Sequence, residues 1–191
     1  IKLLGIAKRQ ENGVELRVHP TLIPAKRLLA NVEGAMNAVV VKGDAVGTTL
    51  YYGKGAGAEP TASAVIADLV DVTRLATADP EHRVPHLAFQ PEAMVDLPIL
   101  PLAEVVSSYY LRLRVEDKPG VLADITRILA DQQISIDAMI QREPEEGEEQ
   151  ADIIFLTHET RERNVAAAIE KIESHPAVKG KLTRLRLEGL L

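Results

Sequence analysis

Three glycines at alternate positions, between a strand pattern and a helix pattern, are the first residues in this sequence that could hold a ligand. Gly53, Gly55 and Gly57 lack the Cβ atom that keeps a backbone away from a pyrophosphate, and the following helix would offer unpaired N–H groups. Their spacing is G-x-G-x-G, one residue shorter than the G-x-G-x-x-G of dinucleotide-binding turns. By themselves they fit a plain turn that packs a helix against a sheet as well as they fit a phosphate-binding turn.

A second strand-to-helix junction, at residues 117–122, has the sequence DKPGVL. N–H groups at the start of a helix attract a carboxylate, although most such junctions are only turns. Asp137, in the strand after this helix, is either an ordinary exposed residue or a partner for a ligand's ammonium group, and the pattern favours the ordinary residue. The candidate ligand-binding residues are Asp117, Pro119, Gly120, Val121, Leu122 and Asp137.

The composition excludes several other kinds of site. The chain has no cysteine, which excludes disulfides, zinc–thiolate sites and thiol nucleophiles and fits a reducing cytoplasm. The five histidines are scattered, and His82 and His86 lie in a proline-rich stretch where no helix would align them, so we assign no metal. The net charge of −6 disfavours nucleic-acid and acidic membrane surfaces, and no apolar run approaches the ~20 residues of a membrane helix.

Alternating hydrophobicity and turn chemistry predict the elements around the glycines. The predicted strands are residues 1–7, 14–19, 38–41 and 48–52, with a hairpin turn at 43–47. Residues 59–75 form a helix with one buried apolar stripe, which consists of Val65, Ile66, Leu69 and Val72. Because the chain opens directly into a strand and does not begin with Met, we expect it to be a piece of a longer protein.

Residues 78–106 contain five prolines without sustained periodicity, which is typical of a linker. The remainder has the order βαββαβ over about 80 residues, which predicts a ferredoxin-like sandwich of two helices on a four-stranded sheet. Its predicted elements are a strand at 109–115, a helix at 121–131, a strand at 134–138, a glutamate-rich hairpin tip at 143–149, a strand buried on both faces at 152–157, a helix around 165–172 and a strand at 183–187. The fold class is therefore α/β (α+β).

Several separated motifs, in a consistent order, resemble one family. Those that are similar to homoserine dehydrogenase are residues 18–24 (VHPTLIP), 28–34 (LLANVEG), 37–39 (NAV), 52–57 (YGKGAG), 60–65 (PTASAV) and Asp68. Those that resemble the ACT domain appended to bacterial members are residues 109–112 (YYLR), 117–122 and 134–136 (ISI). The resemblance covers almost the whole chain.

The resemblance implies an oxidoreductase that reduces aspartate 4-semialdehyde to homoserine with NADPH or NADH, on the route to threonine and methionine. It implies a partial catalytic and dimerisation sheet with a returning cofactor-region helix at residues 1–77, a linker at 78–106 and an ACT domain at 107–191, through which threonine inhibits. A homo-oligomer, dimer or tetramer, in the cytoplasm is expected. Gly57 is the leading cofactor contact, with Gly55 and Gly53 beside it.

The same resemblance implies that the nucleotide fingerprint, the catalytic lysines, the homoserine-binding acidic residues and the sodium-binding loop lie upstream of Ile1. No catalytic residue is therefore assigned within this chain, and the chain alone is expected to be inactive. Three alternatives stay open: a free-standing amino-acid-binding module, a module at 109–191 that only dimerises, and phosphoglycerate dehydrogenase, which also carries a terminal ACT domain. The motifs at 18–24 and 53–63 disfavour the last.

Overall fold

The computed structural model describes residues 1–79, 89–142 and 149–189. The chain forms two compact units, one made of Ile1–Ala25 together with Leu97–Leu191 and the other of Lys26–Asp96. We call them the sheet unit and the hairpin–helix unit. The first 25 residues thus pack with the carboxy-terminal residues, whereas the sequence grouped them with residues 26–77. A compact unit is not a family domain, and the division into 1–77, 78–106 and 107–191 stays a prediction.

The sheet unit contains seven strands and two α-helices among its described residues. They are β1 (Lys2–Gln10), β2 (Gly13–Leu22), β5 (Val106–Glu116), α2 (Val121–Asp131), β6 (Ile136–Gln141), β7 (Gln150–Thr157), β8 (Thr160–Arg161), α3 (Glu162–Glu173) and β9 (Val178–Leu187). The strand order is β1-β2-β9-β5-β7-β6, with the short β8 beside β5. The four strands from β9 to β6 are antiparallel neighbours, which confirms the predicted βαββαβ sandwich.

Strict alternation in the central strand β5 builds the core of the sheet unit. Its apolar side chains face α2 and α3, while the residues between them point to the other face of the sheet. The buried apolar cluster consists of Tyr109, Leu111, Leu113, Val115, Val121, Ile125, Leu129, Ile134, Ala151, Ile153, Phe155, Val165, Ala168, Ile172 and Ala177. In β7, Ile154 and Leu156 are only half-buried. The expectation that this strand is buried on both faces is therefore wrong, because the helices cover one face only.

Towards its end, strand β9 presents Arg184 and Arg186, not Leu185 and Leu187, to the helix-covered face, where Leu182 packs against the core nearer the beginning of the strand. Its Arg186 pairs in register with Tyr109, whose side chain is fully buried. The carboxylate of Glu162, the first residue of α3, receives two hydrogen bonds from Arg186, at 2.8 and 2.7 Å. It receives further hydrogen bonds of 2.7 Å from Arg184 and from the Tyr109 hydroxyl. One buried carboxylate is therefore the shared partner of both arginines.

The pKa of Glu162 follows from these contacts. Burial is the largest single influence and raises the pKa. The hydrogen bonds from Arg186 and Tyr109 and the charges of both arginines together outweigh burial, so the pKa lies below its usual 4.5. Burial and the hydrogen bond to this carboxylate raise the pKa of Tyr109. Glu162 is consequently ionised, and the Tyr109 hydroxyl keeps its proton, at neutral pH.

The β1–β2 hairpin extends this sheet through a short parallel ladder, in which Thr21 and Leu22 of β2 pair with Arg186 and Leu187 of β9. The face of β2 that follows on from the helix-covered side is polar and buried. Its residues are Glu15, Arg17, His19 and Thr21. Burial is the main cause of the lowered pKa of His19, which the positive charges of nearby arginines lower further. The imidazole is therefore neutral at pH 7.

Part of the predicted linker is attached to this hairpin. Val14 donates a backbone hydrogen bond to the carbonyl of Pro98 and accepts one from Leu100, both at 2.9 Å. Gly13 is required at this contact, because a Cβ there would collide with the Pro98 carbonyl oxygen and its φ is +150°. Residues 80–88, which include the histidine pair, and residues 143–148 of the predicted glutamate-rich tip at 143–149 lie outside the described residues.

The hairpin–helix unit contains β3 (Met36–Gly43), β4 (Gly47–Lys54) and α1 (Ala58–Thr77). The two strands pair antiparallel from Gly43↔Gly47 to Met36↔Lys54, which confirms the predicted hairpin. The helix has the predicted position, but it has no buried residue in the described structure. The prediction of a buried stripe is therefore wrong for this chain: Val65 is 53% exposed and Leu69 58%. Periodicity predicts an apolar stripe, but it cannot predict the surface that covers it.

Replacing Glu162 should destabilise the sheet unit more than any surface change. Glu162→Ala leaves two arginines and a tyrosine hydroxyl without their shared partner, so we expect a loss of about 3 kcal/mol in the free energy of unfolding. Glu170→Gln, an exposed position on the same helix, should change it by less than about 0.5 kcal/mol. Chemical denaturation measures both. Equal effects of the two substitutions would contradict this account of the fold.

The contribution of Glu162 should also depend on pH with a definite sign. Its folded-state pKa is depressed, so the folded protein holds the proton less readily than the unfolded chain. The stabilisation is therefore complete above about pH 4.5, the value for the unfolded chain, and is lost as the pH falls through the lower folded-state pKa. The stability difference between wild type and Glu162→Gln should shrink in that acid range. Denaturation curves between pH 7 and pH 3 would show it, and a constant difference would argue against it.

Candidate functional site

The glycine turn lies between β4 and α1 and has an unusual backbone at its last position. Gly57 has φ 128° and ψ 154°, a conformation open essentially to glycine alone. Its carbonyl accepts a 3.0 Å hydrogen bond from the Thr61 N–H and so begins the helix. A Cβ at Gly55 would collide with the side-chain amide of Asn37, whereas a Cβ at Gly53 would meet nothing within 4 Å. The local geometry therefore requires glycine at position 57, whereas the exposed Asn37 side chain could move to accommodate a Cβ at position 55.

The chemistry of this turn fits a phosphate group in part. The first N–H groups of α1 have no intrahelical acceptor, and no side chain caps the helix at Gly57. These donors and the positive end of the helix favour an anion. Glu59, in the first turn, already places a carboxylate there, and Lys54 is exposed. The turn can supply backbone donors to a pyrophosphate, but it does not enclose one with the described residues of its own unit.

The second candidate site is a cavity of about 420 Å³ in the sheet unit, where β5 ends and α2 begins. Gly120, with φ 94°, turns the chain into the helix, and no side chain caps it. Five of the six predicted ligand residues line this cavity. Further residues that no sequence pattern singles out line it as well. Its lining consists of Val115, Glu116, Asp117, Lys118, Pro119, Gly120, Val121, Leu122, Gln141 and Ile153.

Charges at the rim of this cavity are arranged around Glu116. Its carboxylate contacts Lys118 at 2.7 Å and Lys179, at the beginning of β9, at 2.6 Å. Hydrogen bonds from the two lysines lower the pKa of Glu116 to about 2. Across the cavity, the side-chain amide of Gln141 donates a long hydrogen bond of 3.5 Å to Asp117. The cavity thus combines helix N–H donors with a carboxylate, which are the groups that a zwitterionic amino acid requires.

Asp137, the sixth predicted residue, does not line the cavity. It lies near the beginning of β6, whereas Gln141 lies at the end of that strand. Its carboxylate is 3.9 Å from the His158 ring, and both side chains are exposed. Gln141 was missed because nothing in its local sequence distinguishes it, and only the pairing of β6 with β7 brings it to the cavity. Lys179 was missed for the same reason, since it is far from Glu116 in sequence.

No group of three or more histidine, aspartate or glutamate side chains within the described ranges is arranged to hold a metal ion. None of the helices that the structure describes is both long and apolar enough to cross a membrane.

A βαββαβ sandwich with a polar cavity at its first strand-to-helix junction belongs to the class of small α+β domains that can accept a ligand at that junction. Residues 109–177 match the family model of the ACT domain, and residues 1–70 match that of homoserine dehydrogenase. The chain belongs to the homoserine dehydrogenase family and carries an ACT domain.

Whole-chain comparisons agree with this assignment. The chain is 63% identical to homoserine dehydrogenase of Methylobacillus glycogenes, and the match covers 98% of this chain and 44% of that enzyme. It is 56% identical to homoserine dehydrogenase of Pseudomonas aeruginosa, and that match covers 100% of this chain and 44% of that enzyme. A crystal structure of homoserine dehydrogenase from Thiobacillus denitrificans superposes with a TM-score of 0.90 at 71% identity, covering 100% of this chain and 42% of that one. The chain therefore spans less than half the length of these relatives.

The backbone at Gly57 gives a test of the glycine turn. Gly57→Ala forces an alanine into a region that costs about 1–3 kcal/mol and places its Cβ 3.3 Å from Pro60. We expect amide exchange in the first turn of α1 to become about tenfold faster, since each 1.4 kcal/mol corresponds to a factor of ten. Gly53→Ala is the matched control, because that position is open. Hydrogen-exchange mass spectrometry measures both, and unchanged exchange in Gly57→Ala would remove the argument for a required glycine.

Proposed function

We propose that this chain is part of a homoserine dehydrogenase that interconverts aspartate 4-semialdehyde and homoserine with NADP or NAD, and that its ACT domain binds an amino-acid effector, threonine, which inhibits the enzyme. The observation that carries the effector proposal is the cavity at the start of α2, which gathers Asp117, Gln141 and the helix N–H groups. The family membership supports the proposal for the enzyme. The products of such an enzyme serve threonine and methionine biosynthesis, in the cytoplasm.

The hairpin–helix unit would contribute to cofactor binding through its backbone. Bound nicotinamide cofactor supplies or accepts the hydride. The role proposed for Gly53, Gly55 and Gly57 is to let the chain approach the pyrophosphate, while the N–H groups at the start of α1 donate hydrogen bonds to it. Hydride transfer also needs a substrate held at contact distance. The residues that do this are proposed to lie in the remaining length of the family members, so that this chain alone is inactive.

The exposed apolar face of α1 supports a larger catalytic body. Five of its residues, Val65, Ile66, Leu69, Val70 and Val72, are each more than 40% exposed. A contiguous exposed patch of this kind usually marks a contact surface. The proposed dehydrogenase would cover it, with the rest of the catalytic region packed against the helix.

A single substitution on this face tests whether α1 is covered in the full-length protein. Leu69→Ala should cost less than about 0.5 kcal/mol in the 191-residue chain, because the side chain is exposed there. In the full-length dehydrogenase the same change should cost about 2–5 kcal/mol, the usual loss for a buried leucine. Thermal or chemical unfolding of the two proteins measures this, with Asp71→Ala on the solvent-exposed part of the same helix as control. Equal small losses in both proteins would refute coverage of α1.

In the ACT domain, the proposed role of Asp117 is to hold the ligand's ammonium group, while the first N–H groups of α2 bind its carboxylate. Pro119 and Gly120 shape the turn, and Leu122 would contribute one of those donors. Val121 lines the cavity, but its N–H already donates to the Lys118 carbonyl at 3.3 Å. Gln141 would complete the contact from β6. The geometry gives Asp137 no part in this cavity. The protein is proposed to act as a homo-oligomer, a dimer or a tetramer.

Calorimetry with single amino acids tests the effector site. We expect threonine to bind the chain, and Asp117→Asn to weaken binding about tenfold, the loss of one charge-assisted contact worth about 1.4 kcal/mol. Asp137→Asn is the control and should leave the dissociation constant unchanged. Methionine, isoleucine and serine should bind more weakly than threonine. Absence of binding by all four amino acids would leave a module that only dimerises.

The activity itself is tested on the full-length protein. Homoserine oxidation with NADP or NAD is followed as the formation of reduced nicotinamide, with and without threonine. We expect turnover by the full-length protein and none by residues 1–191 alone. A full-length protein without turnover would defeat the enzyme proposal, and turnover by this chain alone would defeat the assignment of its catalytic residues to another segment.

A further inference from the structure

Strand β9 connects the two functional parts of the sheet unit. At its beginning, Lys179 contacts Glu116, which lines the effector cavity. Just beyond its end, Glu188 contacts the β1–β2 hairpin, which lies within the residues that match homoserine dehydrogenase. At about 3.3 Å per residue, the strand carries the chain about 30 Å from one contact to the other. An ion pair therefore attaches the beginning of β9 to the cavity, and further ion pairs attach the chain just beyond its end to the hairpin.

The contact at Glu188 is the principal side-chain attachment of the hairpin to the end of β9. Its carboxylate receives hydrogen bonds from Lys8 at 3.0 and 2.9 Å and from Arg17 at 3.1 Å. Its backbone N–H donates to the carbonyl of Leu22 at 3.0 Å. The ladder that it supplements contains only two residue pairs. Arg17 is almost fully buried, and Glu188 is only 15% exposed, so solvent screens this contact weakly.

Between its ends, β9 is fixed to α3 at two points. Near the end, Arg186 is bound by Glu162 at the start of the helix. Near the beginning, the strand has an irregular register around Gly180, which has φ 75°. There the Glu173 carboxylate accepts the Leu182 N–H at 2.9 Å and contacts Lys181 at 3.3 Å. These contacts join β9 and α3 into one body that bears both terminal ion pairs.

We infer that Glu188 is the coupling contact through which occupation of the effector cavity reaches the dehydrogenase hairpin. This inference rests on the proposed effector function. A ligand at the start of α2 competes for the groups around Glu116 and so changes the ion pair between Glu116 and Lys179. The β9–α3 body then takes a different position, and Glu188 transfers that change to Lys8 and Arg17. The free-energy coupling between two sites requires such a physical element, biased by both.

The inference predicts that binding and inhibition can be separated. Glu188→Gln keeps the shape of the side chain but removes the charge that attracts Lys8 and Arg17. The effector cavity is not altered, so the threonine dissociation constant of the full-length enzyme should stay within about twofold of wild type. The factor by which saturating threonine inhibits homoserine oxidation should fall by at least about fivefold, since coupling free energies of 1–3 kcal/mol correspond to about 5–150-fold.

Two further variants make the experiment decisive. Lys8→Met removes one partner of Glu188 from a half-exposed position, so it tests the same contact if Glu188→Gln fails to fold, and it should weaken inhibition in the same direction. Glu104→Gln is the matched control, because it removes another glutamate ion pair of the sheet unit, with Arg163, and neither partner is a residue of β9 or of the hairpin. It should be inhibited like wild type. Thermal unfolding of each variant checks that the fold is retained.

The outcomes distinguish the inference from the function on which it rests. If wild type binds threonine and is inhibited, and both Glu188→Gln and Lys8→Met are inhibited to the same degree, the coupling inference is wrong and the effector function stands. If Glu188→Gln loses threonine binding together with inhibition, Glu188 supports the cavity and does not couple it. If wild-type enzyme with normal turnover neither binds threonine nor responds to it, the proposed effector function fails and the coupling inference fails with it.

Discussion

The ion cluster of Glu162 fixes the end of β9 against α3, and the β1–β2 hairpin joins the sheet at that end of the strand. A carboxylate and two guanidinium groups occupy the helix-covered face of the sheet, where apolar side chains would be expected. A buried charge is tolerated only when it is paired and hydrogen-bonded, and here each oxygen of Glu162 accepts two hydrogen bonds. The position of β9 therefore depends on α3, and the hairpin that follows β9 in the sheet depends on both.

This dependence explains why a segment that matches one family packs on a domain that matches another. An ordinary ferredoxin-like sandwich ends at β9 with a free strand edge, and such an edge must be covered or paired. Here β2 adds itself to that edge, and its buried face is polar because it continues the charged surface that Arg186 begins. The same polar layer that attaches the hairpin gives the ACT domain a direct physical connection to the segment that matches homoserine dehydrogenase.

The two units differ in how complete they are. Among its described residues, the sheet unit has an apolar core of fifteen buried residues. The hairpin–helix unit has a correctly formed hairpin and helix, but α1 has no buried side chain in the described structure. Its glycine turn keeps the geometry of a backbone that can approach a phosphate, although it forms only one wall of such a site.

Most of the local structure could be predicted from the sequence, because it follows from interactions between neighbours along the chain. Alternation located β5 and β7, helical spacing located α1 and α2, and Gly57 and Gly120 fall where the backbone needs positive φ. The residues 117–122 were found for the same reason, since one strand-to-helix junction forms most of the cavity.

The tertiary structure decided the features that depend on pairing between residues far apart in the sequence. It decided which face of β9 is buried, because near the end of the strand Arg184 and Arg186 alternate with Leu185 and Leu187, and no local pattern reveals that Glu162 binds the arginines. It also decided that Gln141 and not Asp137 reaches the cavity, that β1–β2 joins the sheet of the ACT domain, and that the stripe of α1 is left uncovered, since no local pattern specifies the partner of a surface.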